Sequence, residues 1–184
     1  MELQKALLTR RTIHNYTADP IPEGAIERAL EAAIRAPNHK LTNPWRFTRV
    51  GPEVRKKLTE LGIELKCAKK NKFTPKFRDY LRQKYGNPAE LVAVSQILND
   101  DPFRRREDYA AAACAIQNFC LSLWGEDVGS KWSTGQMSRH ESTYEMLDID
   151  PDEEEIIAFV WVGQPEEIPD PPRDPLESVV RTTD

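Results

Sequence analysis

The sequence predicts a layered domain of the α/β or α+β class, because helical and strand-like segments interleave along the chain without an internal repeat. Its 184 residues are enough for one domain with a hydrophobic core. Hydrophobic residues make up 39% and charged residues 30% of the chain, with several dense apolar runs, which argues against intrinsic disorder. No stretch approaches the roughly 20 apolar residues that a membrane span needs, and no secretory signal is expected.

Five segments have apolar residues at helical spacing, which predicts helices over residues 2–9, 22–35, 52–62, 106–124 and 138–147. The first helix is expected to bury Leu3, Leu7 and Leu8. The second should end before Pro37, since the residue preceding a proline disfavours the helical conformation. The fourth is apolar almost all round, which predicts a position in the core or in a subunit interface.

Strands are predicted over residues 45–50, 90–98 and 156–163. The last of these is a nearly continuous apolar run, as expected for a strand buried on both faces. Ser138 and Glu141 have the spacing of a capping box and would open the last predicted helix. Residues 166–184 are rich in proline, which predicts an extended C-terminal arm.

The net charge is −4 and the isoelectric point about 5.5, which argues against a general nucleic-acid binder. Residues 66–84 nevertheless contain eight basic residues and one acid. This run is interpreted either as a phosphate or nucleic-acid patch or, preferably, as a surface helix with its aromatic face inward and Pro75 outside it or in its first turn. The aromatic and apolar residues of that face are Phe73, Phe77, Tyr80, Leu81 and Tyr85.

Familiar catalytic motifs are missing from the sequence. There is no GxGxxG, no GxxxxGK[ST] and no GxSxG motif, and the chain holds only three histidines, so no metal site is expected. Cys67, Cys114 and Cys120 form no CxxC pair, which disfavours a disulfide scaffold and fits a cytoplasmic protein. No catalytic side chain is predicted, so an enzyme of this sequence would need a cofactor to carry its chemistry.

The first of three candidate binding segments covers residues 10–16. In an extended chain, Arg10, Thr12 and His14 share one face and offer a guanidinium, a hydroxyl and an imidazole to a phosphorylated ligand. Arg11 would then point elsewhere, towards a structural ion pair. The alternative is a basic helix C-terminus that complements the helix dipole.

The second segment, residues 35–45, is a polar loop held between Pro37 and Pro44, and it could present amide and imidazole groups to a flat ring. The third, residues 129–135, has two glycines around hydroxyls and an indole, so its backbone can approach a ligand closely. The alternatives are a helix-to-strand connector for the second segment, and for the third a loop with Trp132 filling the core.

Taken together, these segments carry the resemblance to a known family. The matching motifs are Arg10-Arg11-Thr12 with Tyr16, Pro20-Ile21-Pro22, Ala36-Pro37 through Trp45-Arg46-Phe47, the small-residue helix leading to Trp132, Gly163 with Pro165, and Arg173-Asp174-Pro175. In this order they resemble the FMN-dependent nitroreductase family, in particular its small, minimal-length members. Residues 52–105 match it least.

The resemblance implies a single α+β domain over residues 1–184, with a three-layer fold in which helices flank a central mixed sheet. It also implies a homodimer with FMN at the subunit interface, and a C-terminal arm, residues 166–184, exchanged with the partner subunit. Residues 64–105 form a divergent basic segment and a candidate lid. The implied cofactor-binding residues are Arg10, Arg11, Thr12, His14, Arg35, Asn38, His39, Asn43, Trp132, Ser133, Thr134 and Arg173.

Within that set the resemblance assigns Arg10, Thr12 and Arg173 to the FMN phosphate. It assigns Asn38, His39 and Asn43, with help from Arg35, to the flavin of the partner subunit, and residues 132–134 to the isoalloxazine or ribityl chain. Two departures concern the flavin environment: His14 stands where the family usually has Lys or Arg, and Asn43 where it usually has Gln.

The implied activity is that of an FMN-dependent NAD(P)H oxidoreductase, passing a hydride through flavin N5 to an electron-poor acceptor such as a nitroaromatic or a quinone. Either NADH or NADPH could be the reductant, since no ribose-phosphate signature is present. The alternatives are a reductase or dehydrogenase of one enone or aldehyde metabolite, and a non-catalytic flavin- or nucleic-acid-binding protein.

Overall fold

A four-stranded antiparallel sheet lies at the centre of the computed structural model, which describes residues 1–183. The strands are β1 (Trp45–Arg49), β2 (Glu90–Ile97), β3 (Gly129–Ser133) and β4 (Glu154–Gly163), in the spatial order β1-β2-β4-β3. The expected mixed sheet is therefore corrected to an antiparallel one, since each of these strand pairs is antiparallel. A parallel contact is found only as an isolated bridge between Thr12 and Ser130, outside the paired strands of the described chain.

The helices are α1 (Leu3–Thr9), α2 (Ala25–Ala33), α3 (Pro52–Lys70), α4 (Pro75–Gly86), α5 (Pro102–Gly125) and α6 (Glu141–Leu147). Short 3₁₀ turns cover His39–Leu41, Gln136–Arg139 and Leu176–Ser178. None of the helices within residues 1–183 is both long and apolar enough to cross a membrane.

Helices cover both faces of the sheet and create two cores, which gives the predicted three layers. Successive residues of β2 and β4 point to opposite faces, as the period of a strand requires. One core joins Val160 of β4 to α2 and α5, while the other joins Trp161 to residues of α3 and α6. The predicted central place of α5 is confirmed, since Ile116, Phe119 and Leu123 are fully buried.

The predicted burial of the α1 leucines is wrong. Leu3, Leu7 and Leu8 are 68%, 49% and 75% exposed, and Ala6 is the buried residue of this helix. A helix of seven residues that packs on α5 through one side leaves its other apolar side chains facing outward.

Two further expectations are corrected near β3. Residues 129–133 were not among the predicted strands and had a loop as their alternative interpretation, but their backbone pairs with β4 and forms the edge strand β3. The helix after them begins at Glu141, and its N-cap is His140, whose Nδ1 accepts a hydrogen bond from the Ser142 N–H at 3.3 Å. Ser138 cannot cap it, because it lies in the preceding 3₁₀ turn and donates its hydroxyl to the Gly135 carbonyl.

The basic run at 66–84 forms the end of α3 and most of α4. Pro75 occupies the first turn of α4, as predicted, and Thr74 caps that helix. Leu81 is buried, but Phe73 and Tyr80 are 60% and 50% exposed, so the inward aromatic face is only partly confirmed. Among these basic residues, Arg78 and Arg82 are paired with carboxylates, both of them with that of Glu60.

A single arginine joins the start of α3 to the end of α4. Arg55 donates hydrogen bonds to four backbone carbonyls, those of Tyr85, Gly86, Pro88 and Ala89. These carbonyls lie at the C-terminal end of α4 and just before β2, where helix carbonyls lack partners within the helix. The α3–α4 pair is therefore tied directly to the central sheet.

Candidate functional site

The first and third candidate segments lie side by side at the β3 edge of the sheet. The Ile13 N–H donates to the Ser130 carbonyl at 3.0 Å, and Thr12 bridges Ser130. Gly129 permits this approach, because a Cβ at that position would lie 2.7 Å from Ile13 Cγ1. These contacts bring the first and third candidate segments together at one edge of the sheet.

The side chains of this segment differ in burial, and the common face of Arg10, Thr12 and His14 stays a prediction. Ile13 is fully buried, whereas Arg10 and Thr12 are half-buried and His14 is exposed. Arg11 points elsewhere and forms an ion pair with Asp170 at 2.6 Å. In contrast, the Arg10 side chain has no hydrogen bond or ion pair within residues 1–183, which leaves its guanidinium available to an anion.

The second segment lies at the opposite edge of the sheet, just before β1. Its backbone has positive φ at three non-glycine residues, Lys40 (52°), Leu41 (56°) and Asn43 (44°). Asn38 Oδ1 accepts a hydrogen bond from the Asn43 N–H at 3.0 Å, while the Thr42 hydroxyl donates to the buried Asp108 carboxylate at 2.7 Å. Backbone strain of this kind is held only where surrounding contacts fix it.

Several predicted residues of this loop and of the tail remain apart from the β3 edge. Arg35, His39 and Asn43 are exposed at the β1 edge, and Arg173 is exposed in the C-terminal arm. One chain therefore does not bring them together with Arg10 and Thr12. Their assignment to the cofactor, Asn38 and Arg173 included, stays a prediction.

A cavity of about 440 Å³ opens between α3 and β3, and a small hollow lined by His14 and Tyr16 shares Lys131 and Trp161 with it. Phe159 and Trp161 of β4 form an aromatic floor, and Ser133 and Thr134 lie at the end of β3. Three lysines also line the cavity: Lys66 and Lys69 from α3, and Lys131 from β3.

The predicted residues 132–134 have different surroundings. Trp132 packs in part against the α5 core, as in the core-filling alternative, and its buried Nε1 has no hydrogen-bond partner among residues 1–183. The Ser133 hydroxyl is already engaged, accepting from Trp161 Nε1 at 3.1 Å and donating to the Phe159 carbonyl at 3.2 Å. Thr134 is exposed at the cavity and free of such bonds.

The cavity and its neighbourhood have a positive electrostatic character. Burial lowers the pKa of the Lys131 ammonium, and repulsion from Lys84 and Lys66 lowers it further. Burial also lowers the pKa of His14, with smaller contributions from Lys131 and Lys84. Both shifts have the sign expected when cations lie together without a neutralising acid.

Sequence reasoning missed the three cavity lysines. Lys66 and Lys69 belong to a basic run that was interpreted as a surface helix in preference to a phosphate or nucleic-acid patch. Lys131 lies in the third candidate segment, where no role was predicted for it. The available signal was the excess of eight basic residues over one acid in an acidic protein. Their convergence on one cavity depends on the pairing of α3 with the β3 end of the sheet, which spacing alone does not reveal.

Comparison with known proteins identifies the class to which this chain and its fold belong. The chain belongs to the Nitroreductase family, whose profile matches residues 7–164, and the family expected from the motifs is thereby confirmed. Among its relatives, the Bacillus subtilis (strain 168) protein named "Putative NAD(P)H nitroreductase YfhC" is 30% identical over 171 residues, covering 91% of this chain and 87% of the relative.

Solved structures share the fold. A nitroreductase-like family protein from Bacillus cereus superposes with a TM-score of 0.80 at 23% identity, covering 100% of this chain and 96% of the other. A "putative nitroreductase" from Desulfovibrio desulfuricans, solved in complex with FMN, superposes with a TM-score of 0.75 at 21% identity, covering 100% and 98% of the two chains. These similarities confirm the predicted α+β fold.

Proposed function

We propose that this protein is an FMN-dependent NAD(P)H oxidoreductase that acts on an electron-poor acceptor, such as a nitroaromatic or a quinone. The observation that carries the proposal is the segment 10–16. It bridges β3 at Thr12 and Ser130, and its His14 and Tyr16 line a small hollow that shares Lys131 and Trp161 with the aromatic-floored cavity. Membership of the Nitroreductase family and a relative complexed with FMN support the choice of cofactor.

The residues present fit such a cofactor. Arg10 has a guanidinium without a hydrogen bond or ion pair within residues 1–183, and Thr12, two residues on, offers a hydroxyl; these two donor types suit a phosphate monoester. The buried Trp132 Nε1 without a partner is a further donor close to the cavity. When bound, FMN supplies the hydride chemistry at its N5 atom, so no side chain has to act as a nucleophile.

The proposal gives the chain's own residues the following roles. Arg10 and Thr12 would hold the phosphate, with Arg173 as a second cation. Phe159 and Trp161 would exclude water from one side of the cavity. The positive potential of Lys131 and its neighbours would favour negative charge in the site, since fixed charges act strongly where water is displaced.

A homodimer completes the proposal. Asn38, His39 and Asn43 lie at the sheet edge opposite to Arg10, so a second subunit is needed to bring them to the same cofactor. The exposed leucines of α1 provide apolar surface of the kind that subunit interfaces bury. Exchange of the C-terminal arm and a cytoplasmic location complete the picture as predictions.

The first experiment is to purify the protein, record its visible spectrum, and identify and count the released chromophore. We expect about one FMN per chain, and NAD(P)H-dependent reduction of a neutral nitroaromatic. The variant Arg10→Gln should bind FMN at least about tenfold more weakly, because a hydrogen bond to a charged group is lost.

Arg106→Gln is the matched control, since this exposed arginine of α5 has no side-chain bond within the described residues. Its FMN affinity should equal that of the wild type. A colourless protein that also fails to take up added FMN would overturn the proposed function.

A further inference from the structure

Three ammonium groups converge on the cavity between α3 and β3 without an acid to neutralise them. Lys66, Lys69 and Lys131 line it, and no carboxylate within residues 1–183 lies within 4.0 Å of any of their nitrogens. No Asp or Glu lines the cavity either. In a chain with a net charge of −4, this concentration of positive charge is a local feature of the cavity.

A fourth lysine strengthens the positive field from the side. Lys84 lies with Lys131 and His14 around a small hollow that shares Lys131, Tyr85 and Trp161 with the main cavity. Its Nζ is 3.4 Å from the Asn15 Oδ1, a neutral acceptor. Like charges held together raise the free energy of the empty site, and a bound anion would relieve that repulsion.

The rest of the cavity surface favours a flat apolar ring. Tyr85 and Trp161 stack with centroids 5.4 Å apart and an interplanar angle of 26°, and Phe159 extends this aromatic surface. Aromatic rings bind planar molecules through offset and edge contacts. A ligand that satisfies both walls must therefore be planar and anionic.

We propose that the cavity selects anionic aromatic acceptors, nitroaromatics or quinones that carry a carboxylate or a sulfonate, over their neutral analogues. This inference rests on the proposed function and names its substrate class. Lys131 makes the largest contribution to the selection of anions, because it is half-buried and its charge is less screened by water. Lys66 and Lys69 are exposed on α3 and contribute less.

The kinetic test uses the FMN-loaded protein with 4-nitrobenzoate and its neutral counterpart 4-nitrobenzamide, under saturating NADPH. The ratio of the two kcat/KM values is compared among variants, so that the intrinsic reactivity of each compound cancels. Lys131→Gln should lower the ratio about tenfold, the loss expected for one charged partner. Lys66→Gln and Lys69→Gln should each lower it by a smaller factor.

Lys57→Gln is the matched control, because Lys57 is exposed on the same helix and does not line the cavity. It should leave the ratio unchanged. A ratio that is equally insensitive to the Lys131, Lys66 and Lys69 substitutions would overturn the inference.

A binding measurement separates this inference from the proposed function. Calorimetric titration with 2-naphthoate and 2-naphthamide, which carry no nitro group, should show tighter binding of the anion, and Lys131→Gln should abolish the difference. Equal affinities would overturn the inference while leaving turnover of neutral acceptors, and with it the proposed function, intact. Preferential naphthoate binding without any turnover would sink the proposed function but retain the anion site.

Phosphates are the other anions that this site could meet, and two controls identify them. If Lys131→Gln weakens FMN binding without changing the acceptor ratio, the lysines serve the cofactor and the inference is wrong. The inference is also wrong if Lys131→Gln raises the KM for NADPH and leaves the acceptor ratio unchanged.

Discussion

The two edges of the sheet are built in opposite ways. At the β3 edge, the segment after α1 is joined to the sheet by backbone hydrogen bonds, from Ile13 to Ser130 and from Thr17 to Gln164. At the β1 edge, the preceding loop turns through three residues with positive φ and is held by side-chain hydrogen bonds. One candidate segment is thus fixed to the sheet through its backbone, while the other is an exposed loop in a strained conformation.

At the β3 edge the segment after α1 packs closely against the backbone of Gly129. A side-chain atom added at Gly129 should therefore have the largest effect on stability. In Gly129→Ala the new Cβ would lie 2.7 Å from Ile13 Cγ1, 3.0 Å from Pro165 Cγ and 3.2 Å from the Gly163 carbonyl oxygen. We expect a loss of about 3 kcal/mol in the free energy of unfolding, measured by urea denaturation.

The matched control is Gly125→Ala, since a Cβ there would have no atom within 4 Å. It should unfold at the wild-type urea concentration or higher. If both alanine variants behave alike, close packing is not what closes the β3 edge.

The β1 edge should respond to the loss of a single hydroxyl. Thr42→Val keeps the side-chain shape but leaves the buried Asp108 carboxylate without this hydrogen bond. The expected loss is about 2 kcal/mol of unfolding free energy, because an unsatisfied buried acceptor is costly.

Thr48→Val tests whether the effect is specific to that bond. Thr48 lies on β1, is half-buried, and makes no side-chain hydrogen bond within residues 1–183. It should retain wild-type stability. A similar loss in both valine variants would mean that the Asp108 contact is not what holds the loop.

The smallest expected effect is an increase in the free energy of unfolding, at Lys40. Lys40 has φ 52° and ψ 25°, a left-handed conformation that only glycine adopts without a steric penalty. Lys40→Gly should therefore raise the unfolding free energy by about 0.5–1 kcal/mol, whereas Lys40→Ala, which keeps the Cβ, should not. Equal stabilities in urea for the two variants would show that the loop carries no strain at this residue.

The elements of the fold could be predicted well where periodicity and burial agree. The apolar run before Gly163 and the small-residue run around Ala112 identified β4 and α5, since both lie in the core. The burial of the α1 leucines was predicted wrongly, and β3 was not predicted. Leu3, Leu7 and Leu8 have the right spacing but stay exposed among residues 1–183, and the pairing of β3 with β4 is a tertiary effect that its glycine-flanked sequence does not indicate.

The candidate site could be predicted only in part, for a related reason. The extended backbone after α1 is a local property and could be predicted from the sequence, whereas its bridge from Thr12 to Ser130 of β3 is a tertiary contact. The cavity lysines come from α3 and β3, which are more than 60 residues apart at Lys66 and Lys131. No local pattern encodes that meeting, and no local pattern revealed that Ser133 would be engaged by Trp161.

The hydrogen bonds from Arg55 to the carbonyls between Tyr85 and Ala89 have a consequence for dynamics. Those carbonyls directly precede β2, whose backbone pairs with strands on both sides. Partial opening of the end of α4 would therefore break the Arg55 hydrogen bonds next to β2, an interior strand of the sheet. The helical wall of the cavity and the centre of the sheet should exchange their amide hydrogens as one cooperative unit rather than independently.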